Sequence, residues 1–448
     1  MLRRALAGGR SLAGGQALAG GCALLAAAIA VPAAAELSPA EQRIAASVEA
    51  GQEDAFSLLE QLVEVNSGTH NLQGVRQVAD MLRPQFEALG FDVEWIDQSA
   101  AGRAGHLFAR HEGAADNTRM LLIAHLDTVF EPGSPFQDYV REGMRATGPG
   151  ADDDKGGIAV ILMALRAMQA AGTLANANIV VAMTGDEEDV GDPIEIARAD
   201  LVEAAEWADV ALDFEGLSVE DGRDMGVIAR RSSNGWTLRT SGREGHSSGI
   251  FSEAAGDGAI YELARILAAF RTQLPEQDLT YNVGLVAGGS TAELSGDTLS
   301  ATASGKGNII APVALASGDL RTISQEQTDR VVSKMRAIVD ANLPGTDAEI
   351  AFEFRYPPMA PTEGNRALLG RLNAVNADLG LAEMPILPPA RRGAGDINFI
   401  ADKVDGIAGM GASGSGSHAP GESVDLASFE RQAKRAAILM SRLAQAER

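Results

Sequence analysis

The sequence predicts an α/β protein: an open, mostly parallel sheet with helices on both faces, interrupted by a smaller α+β insert. Three observations carry that prediction. Short apolar runs of strand length alternate with helix-length amphipathic segments, the pattern of parallel strands joined by crossover helices. Three of these runs, Met120–Ala124, Ala177–Met183 and Val210–Phe214, lead straight into His125, Asp186-Glu187-Glu188 and Glu215. From about Gly226 to Arg355 the texture changes to alternating strands separated by two helical stretches, which reads as a separate α+β unit with one helical face.

In chain order, residues 1–35 stand apart. Arg3, Arg4 and Arg10 precede the apolar Cys22–Val31, and Ala33-Ala34-Ala35 offers a small-residue cleavage site, so a secretory signal peptide is expected. The run is short for a transmembrane anchor. Leu37–Val65 carries apolar residues three and four apart and is read as one helix, broken at Asn66-Ser67-Gly68-Thr69, with a second helix over Asn71–Leu89. Strands are expected at Phe91–Ile96 and His106–Arg110, and a strongly apolar helix at Gly157–Ala171. In the insert the reading gives strands at Val227–Ser241, Tyr281–Ala287, Thr298–Ala303, Pro312–Thr322 and Ala348–Arg355, with helices at Gly256–Leu274 and Gln325–Asn342. Pro357-Pro358 marks the return to the first domain. Arg366–Leu379 and Leu426–Ala446 are helices flanking a Gly/Ser-rich stretch that runs into His418. The expected organisation is therefore a signal peptide (1–35), a catalytic domain in two parts (36–223 and 357–448) and an inserted domain (224–356).

The chain has 448 residues, 46% of them apolar, enough for a substantial core. Its 61 acidic residues outnumber 37 basic ones, and three of the arginines lie in the leader. Such an excess argues against nucleic acid or an anionic membrane as partner. Cys22, the only cysteine, is also in the leader, so the mature chain has neither disulfides nor thiolate ligands and any metal must be held by His, Asp and Glu.

The chemistry concentrates in Met120–Gly157. In His125-Leu126-Asp127 the imidazole and carboxylate are two residues apart and point the same way on extended chain. Asp152-Asp153-Asp154 then opens the next helix, and three adjacent carboxylates with no basic excess nearby are costly unless a cation sits among them. A lone His-x-Asp or a lone Asp run is a weak signal, since surface pairs and N-caps are commoner. Together with Glu187-Glu188 and Glu215 at further strand ends, they point to a crevice outside the carboxyl edge of the sheet. Of the Glu pair, one can be a ligand and the other a general base. Asp127 suits a role orienting the His125 imidazole.

His125-Leu-Asp-Thr-Val, Gly148-Pro-Gly-Ala-Asp-Asp-Asp-Lys-Gly-Gly157, Thr184-Gly-Asp-Glu-Glu188, Asp213-Phe-Glu-Gly216, Gly242-Arg-Glu-Gly-His-Ser-Ser-Gly249 and the late His418 together resemble the dizinc metallopeptidases of the glutamate carboxypeptidase (carboxypeptidase G) type, with the aminoacylases and succinyl-diaminopimelate desuccinylase. The resemblance implies a zinc aminopeptidase-like three-layer catalytic domain with a ferredoxin-like lid that dimerises. It implies two Zn2+ (Co2+ or Mn2+ being alternatives), one held by His125, Asp153 and Glu215, the other by Asp153, Glu188 and His418. Asp153 is the bridge because it heads the Asp-x-Lys-Gly pattern, with Asp152 and Asp154 as alternatives. Glu187 becomes the general base and Asp127 the orienting acid. His246 and Asn308 match substrate-contacting residues of the insert, and Arg355 or Arg392 is expected to clamp a substrate carboxylate, with Arg321 and Arg391 as other candidates. The loop Gly393-Ala394-Gly395-Asp396 departs from the Gly-Gly-Thr-Asp run of carboxypeptidase G types. The expectation is an exported, periplasmic, homodimeric hydrolase of a peptide bond beside a free carboxylate. An N-acyl-amino-acid amidohydrolase is the alternative, and a non-catalytic peptide or metal binder the alternative from another class.

Overall fold

A computed structural model describes residues 37–296 and 298–446; the expected signal peptide lies outside them. The first sheet has six strands in the order Asp92–Asp97, Gly105–His111, Asn178–Thr184, Arg119–His125, Val210–Asp213, Gly406–Ile407. The last four run parallel, and the first two form an antiparallel margin. His125 lies level with Thr184, and Ile123 with Asp213, so the carboxyl ends of the three central strands stop along one line.

Alternation along these strands builds the layers. Met120, Leu122, Ala124, Ile179, Val181 and Met183 pack with helices Pro39–Ala50, Gln52–Val63, Leu72–Glu87, Lys155–Ala171 and Ala427–Leu443. Leu121, Ile123, Val180 and Ala182 face the opposite layer, where Leu201, Ala204, Ala205, Ile397 and Ile400 cover them. Both faces are apolar because both are buried, each large side chain contributing about 1.5–3 kcal/mol. This is the α/β three-layer architecture the sequence predicts.

The second sheet lies within Ser233–Tyr356 and is antiparallel: Thr280–Tyr281, Val313–Arg321, Ser233–Gly242, Thr346–Tyr356, with Leu285–Gly289 also on Val313–Arg321. Helices Ala259–Gln273 and Gln325–Val339 close one face over Trp236, Leu238, Ala316 and Leu320. Between the sheets the two crossing stretches bond to each other, Arg230 and Met359 exchanging both backbone hydrogen bonds.

Three local expectations need correction. Leu37–Val65 is two helices meeting at Gly51, which ends the first and starts the second. The strand expected at Thr298–Ala303 is a hairpin of Thr291–Leu294 with Ala301–Ser304. The Gly/Ser-rich stretch before His418 contributes to a small sheet, Ser413–Ser415, Ser423–Asp425, Arg145–Thr147, Val140–Glu142. That small sheet sets the site: its strands flank the His418 loop and lead directly into Gly148–Asp153, so two segments some 265 residues apart arrive side by side.

Candidate metal centre

His125 ends its strand fully buried, with Nδ1 3.1 Å from the Asp127 carbonyl. A carbonyl only accepts, so Nδ1 carries the proton. Nε2 then faces Asp153 Oδ1 at 3.0 Å, and a neutral imidazole would set a lone pair against a carboxylate unless a proton or cation lies between them. The other oxygen of Asp153 meets a second imidazole, His418 Nε2 at 3.2 Å, which is also 3.0 Å from Glu188 Oε2. Donor atoms on one tetrahedral zinc ion at about 2.1 Å lie roughly 3.4 Å apart, so these separations suit a shared cation. Ligand atoms of His125, Asp153 and Glu188 gather within 4.8 Å of one another.

The electrostatics agree. Burial raises Glu188, and Asp153 adds to the rise, while His418 opposes it. Burial and the Glu215 charge push Glu187 well above its ordinary range. Asp152 is pushed up to about 7, chiefly by burial, and Asp154 well upward for the same reason. His418, between Asp153 and Glu188, is pushed up to about 11. Asp152 and Asp154 each keep a buried Oδ1 without a partner. A group of buried carboxylates this short of cations fits divalent metal.

Asp127 does more than the sequence implies. Its carboxylate is 3.4 Å from His125 Nδ1, but it accepts the backbone N–H groups of Glu187 (3.0 Å) and Glu188 (3.1 Å) and the Thr69 hydroxyl (2.7 Å). Both glutamates are thus fixed by their backbone. Glu422 does the same for the Asp turn, accepting Asp152 N–H at 2.9 Å and Asp153 N–H at 3.1 Å.

Glu215 and Glu187 line the same cavity, about 250 Å³, with Asp153, His418, Arg391 and Arg392. Glu215 is held by two guanidiniums: Arg230 Nη1 is 2.7 Å from Oε1 and Arg392 Nη2 3.0 Å from Oε2. Burial opposes ionisation of Glu215, but these arginines keep its carboxyl below the usual range. Arg230 also donates to Asp213 and to the carbonyls of Gly393 and Ala394. Gly395 is required here, since a Cβ would meet Glu215 Oε1 at 2.1 Å and Arg230 Nη1 at 2.4 Å.

The structure therefore brings His125, Asp127, Asp153, Glu187, Glu188, Glu215, Arg392 and His418 to one site. His246 lies on a separate two-stranded ladder, Gly245–His246 with Ile309–Ile310, and Asn308 directly precedes it; both are exposed and outside the cavity lining, with Ser247 N–H donating to the Asn308 carbonyl at 3.0 Å. Arg355 is bonded to Asp189 and Glu353 and does not line the cavity; Arg321 pairs with Asp319. Sequence reasoning did not single out Arg230 or Tyr356, whose roles depend on contacts made across the crossing stretches. Glu422 was legible only as a near neighbour of His418.

Residues 121–442 match the peptidase family M20/M25/M40. The chain belongs to that family. It is accordingly a hydrolytic enzyme of a metal-dependent class of peptidases and amidohydrolases. Carboxypeptidase G2 of Pseudomonas sp. (strain RS-16) is 26% identical over 408 residues, covering 87% of this chain and 89% of its own. Succinyl-diaminopimelate desuccinylase of Variovorax paradoxus is 25% identical over 390 residues, covering 84% and 94%. A dinuclear metal-binding peptidase of Bacillus subtilis shares the fold, with TM-score 0.62 at 16% identity over 89% of this chain and 99% of its own.

Proposed function

We propose that the protein is a two-cation exopeptidase of glutamate-carboxypeptidase type, cleaving an amide bond next to a free carboxylate. The observation that carries this is Asp153, whose two oxygens each face a different imidazole, with Glu187 on the wall of the same cavity. His125, Asp153 and Glu215 would hold one Zn2+, and Asp153, Glu188 and His418 the other. When bound, such a pair supplies Lewis acidity towards the scissile carbonyl and lowers the pKa of water.

The chain's own residues supply the rest. Glu187 takes a proton from the attacking water and passes it to the nitrogen of the departing amine, and its raised pKa suits both halves of that transfer. Asp127 keeps Glu187 and Glu188 aimed through their amides. Arg392, besides its bond to Glu215, places a guanidinium on the cavity wall for the substrate carboxylate, a local cation in a chain whose mean charge is strongly negative. The similarity to a carboxypeptidase over most of the chain supports this substrate class; an N-acyl-amino-acid amidohydrolase is the second reading, supported by the desuccinylase.

Zinc-reconstituted protein should be offered peptides ending in glutamate, peptides ending in a hydrophobic residue, and N-acyl amino acids. Glutamate-terminated peptides are expected to turn over fastest. Glu187→Gln is expected to cost at least about 10²–10⁴-fold in kcat while metal content persists; undiminished turnover in that variant would refute the base assignment. We also infer export to the periplasm and dimerisation. The arginine-flanked apolar leader supports export, and an exported product beginning at Glu36 would bear it out. The resemblance and the exposed His246, on its short ladder beside Asn308, support a dimer, to be read as a doubled mass in light scattering.

A further inference from the structure

Two crossing stretches join the sheets, and both reach the cavity wall. On the first, Arg230 grips Glu215. On the second, Tyr356, the last residue of the edge strand Thr346–Tyr356, donates its phenolic hydrogen to the Glu187 carbonyl. Its ring lies 5.0 Å from that of Phe399, which the Arg198 guanidinium covers at 5.2 Å. Arg198 is itself locked between Asp186 and Asp396. The ring thus packs on Phe399, while the hydroxyl is aimed by its own hydrogen bond to the Glu187 carbonyl.

The peptide run from Glu187 to Asp189 is consequently held from two sides. Its first two N–H groups are taken by Asp127, which follows the first sheet's His125 strand. Its first carbonyl is taken by Tyr356, and the Asp189 carboxylate by Arg355, both from the second sheet. The Glu187 carbonyl and the Glu188 N–H belong to one planar peptide unit, so Tyr356 and Asp127 grip that unit from opposite edges and together fix its rotation and the aim of the side chains on either side of it.

We propose that Tyr356 is a positioning residue for Glu187, its phenol tying the aim of that carboxylate to the seat of the second sheet. This rests on the reading of Glu187 as general base. A reacting group displaced by about 1 Å can cost about a hundredfold in rate. A shift of the edge strand reaches this run through the Tyr356 hydrogen bond at Glu187 and the Arg355 pair at Asp189.

Tyr356→Phe removes the hydroxyl and keeps the ring. It is expected to lower kcat by about tenfold to a hundredfold, leave KM within about twofold, and leave metal content unchanged. Backbone amide exchange measured on the segment 185–190 should quicken while that of Arg119–His125 stays as in the wild type. Phe399→Leu loosens the same ring packing and leaves the hydroxyl; it should lower Tm with kcat within about threefold. Wild-type kcat or unchanged exchange in Tyr356→Phe would overturn the proposal, as would an equal loss of kcat in Phe399→Leu. Retained turnover in Glu187→Gln instead marks failure of the base reading, and the exchange measurement needs no turnover at all.

Discussion

Asp224 and the acids of the cavity differ in one respect. Around Asp224 the acid has its own cations: Arg431 at 3.0 Å and Arg435 at 2.6 Å. Burial alone would raise the Asp224 pKa, yet those arginines hold it below the usual range. At the cavity, Asp152, Asp153, Asp154, Glu187, Glu188, Asp213 and Glu215 share Arg230, Arg392 and two histidines, and most of these carboxyls are pushed upward. The first network is complete as it stands and holds the C-terminal helix to its neighbours. The second has a deficit of positive charge that only something bound can fill. Pairing lowers the Asp224 pKa, whereas burial with too few cations raises most of the cavity carboxyls; Asp153, beside two histidines, and Glu215, beside two arginines, are the exceptions.

The comparison can be broken at several points. The largest effect is expected for Asp153→Asn, which removes the carboxylate common to both imidazoles; turnover should fall by about a thousandfold or more, together with bound metal. Metal removal comes next. Chelation should lower Tm, and restoring a divalent cation at about a thousand times its Kd should return roughly 4 kcal/mol of stability. Asp224→Asn should cost about 2–3 kcal/mol with or without metal, by urea denaturation. The Asp224 pKa is depressed in the folded state, so its contribution is present above the unfolded value near 3.8 and is lost as pH falls through the lower folded value. The difference between variant and wild type should accordingly vanish in strong acid. The smallest effect is expected for Asp152→Asn. Its folded pKa is raised to about 7, so the ionised group destabilises the metal-free protein increasingly from about pH 4 to pH 7. The variant should be more stable at neutral pH, a gain that shrinks when metal is added.

Much of this was legible in the sequence because strand ends are local signals. His125, Glu187, Glu188 and Glu215 follow apolar runs, and the parallel register brings those ends together. His106 and His111, which lie outside the motifs, bond to the backbone carbonyls of Ala197 and Ala177. What escaped is non-local. Gly51 splits a helix whose apolar spacing runs straight through the break. The small sheet beside His418 is made of strands three residues long, too short to leave a period. Arg230 and Tyr356 sit at crossings, where burial and partners are set by two sheets at once and no spacing along the chain reports them. Asp127 was assigned by its neighbour His125, whereas its shorter bonds go to amides about 60 residues away.

Metal stoichiometry by mass spectrometry under native conditions tests the central claim most directly. Two divalent cations are expected on each wild-type chain, one on His418→Ala, and none on Asp153→Asn with the fold intact by circular dichroism. A wild-type chain that takes up one ion at most, or an Asp153→Asn chain that keeps both, would contradict a shared carboxylate at the heart of the site.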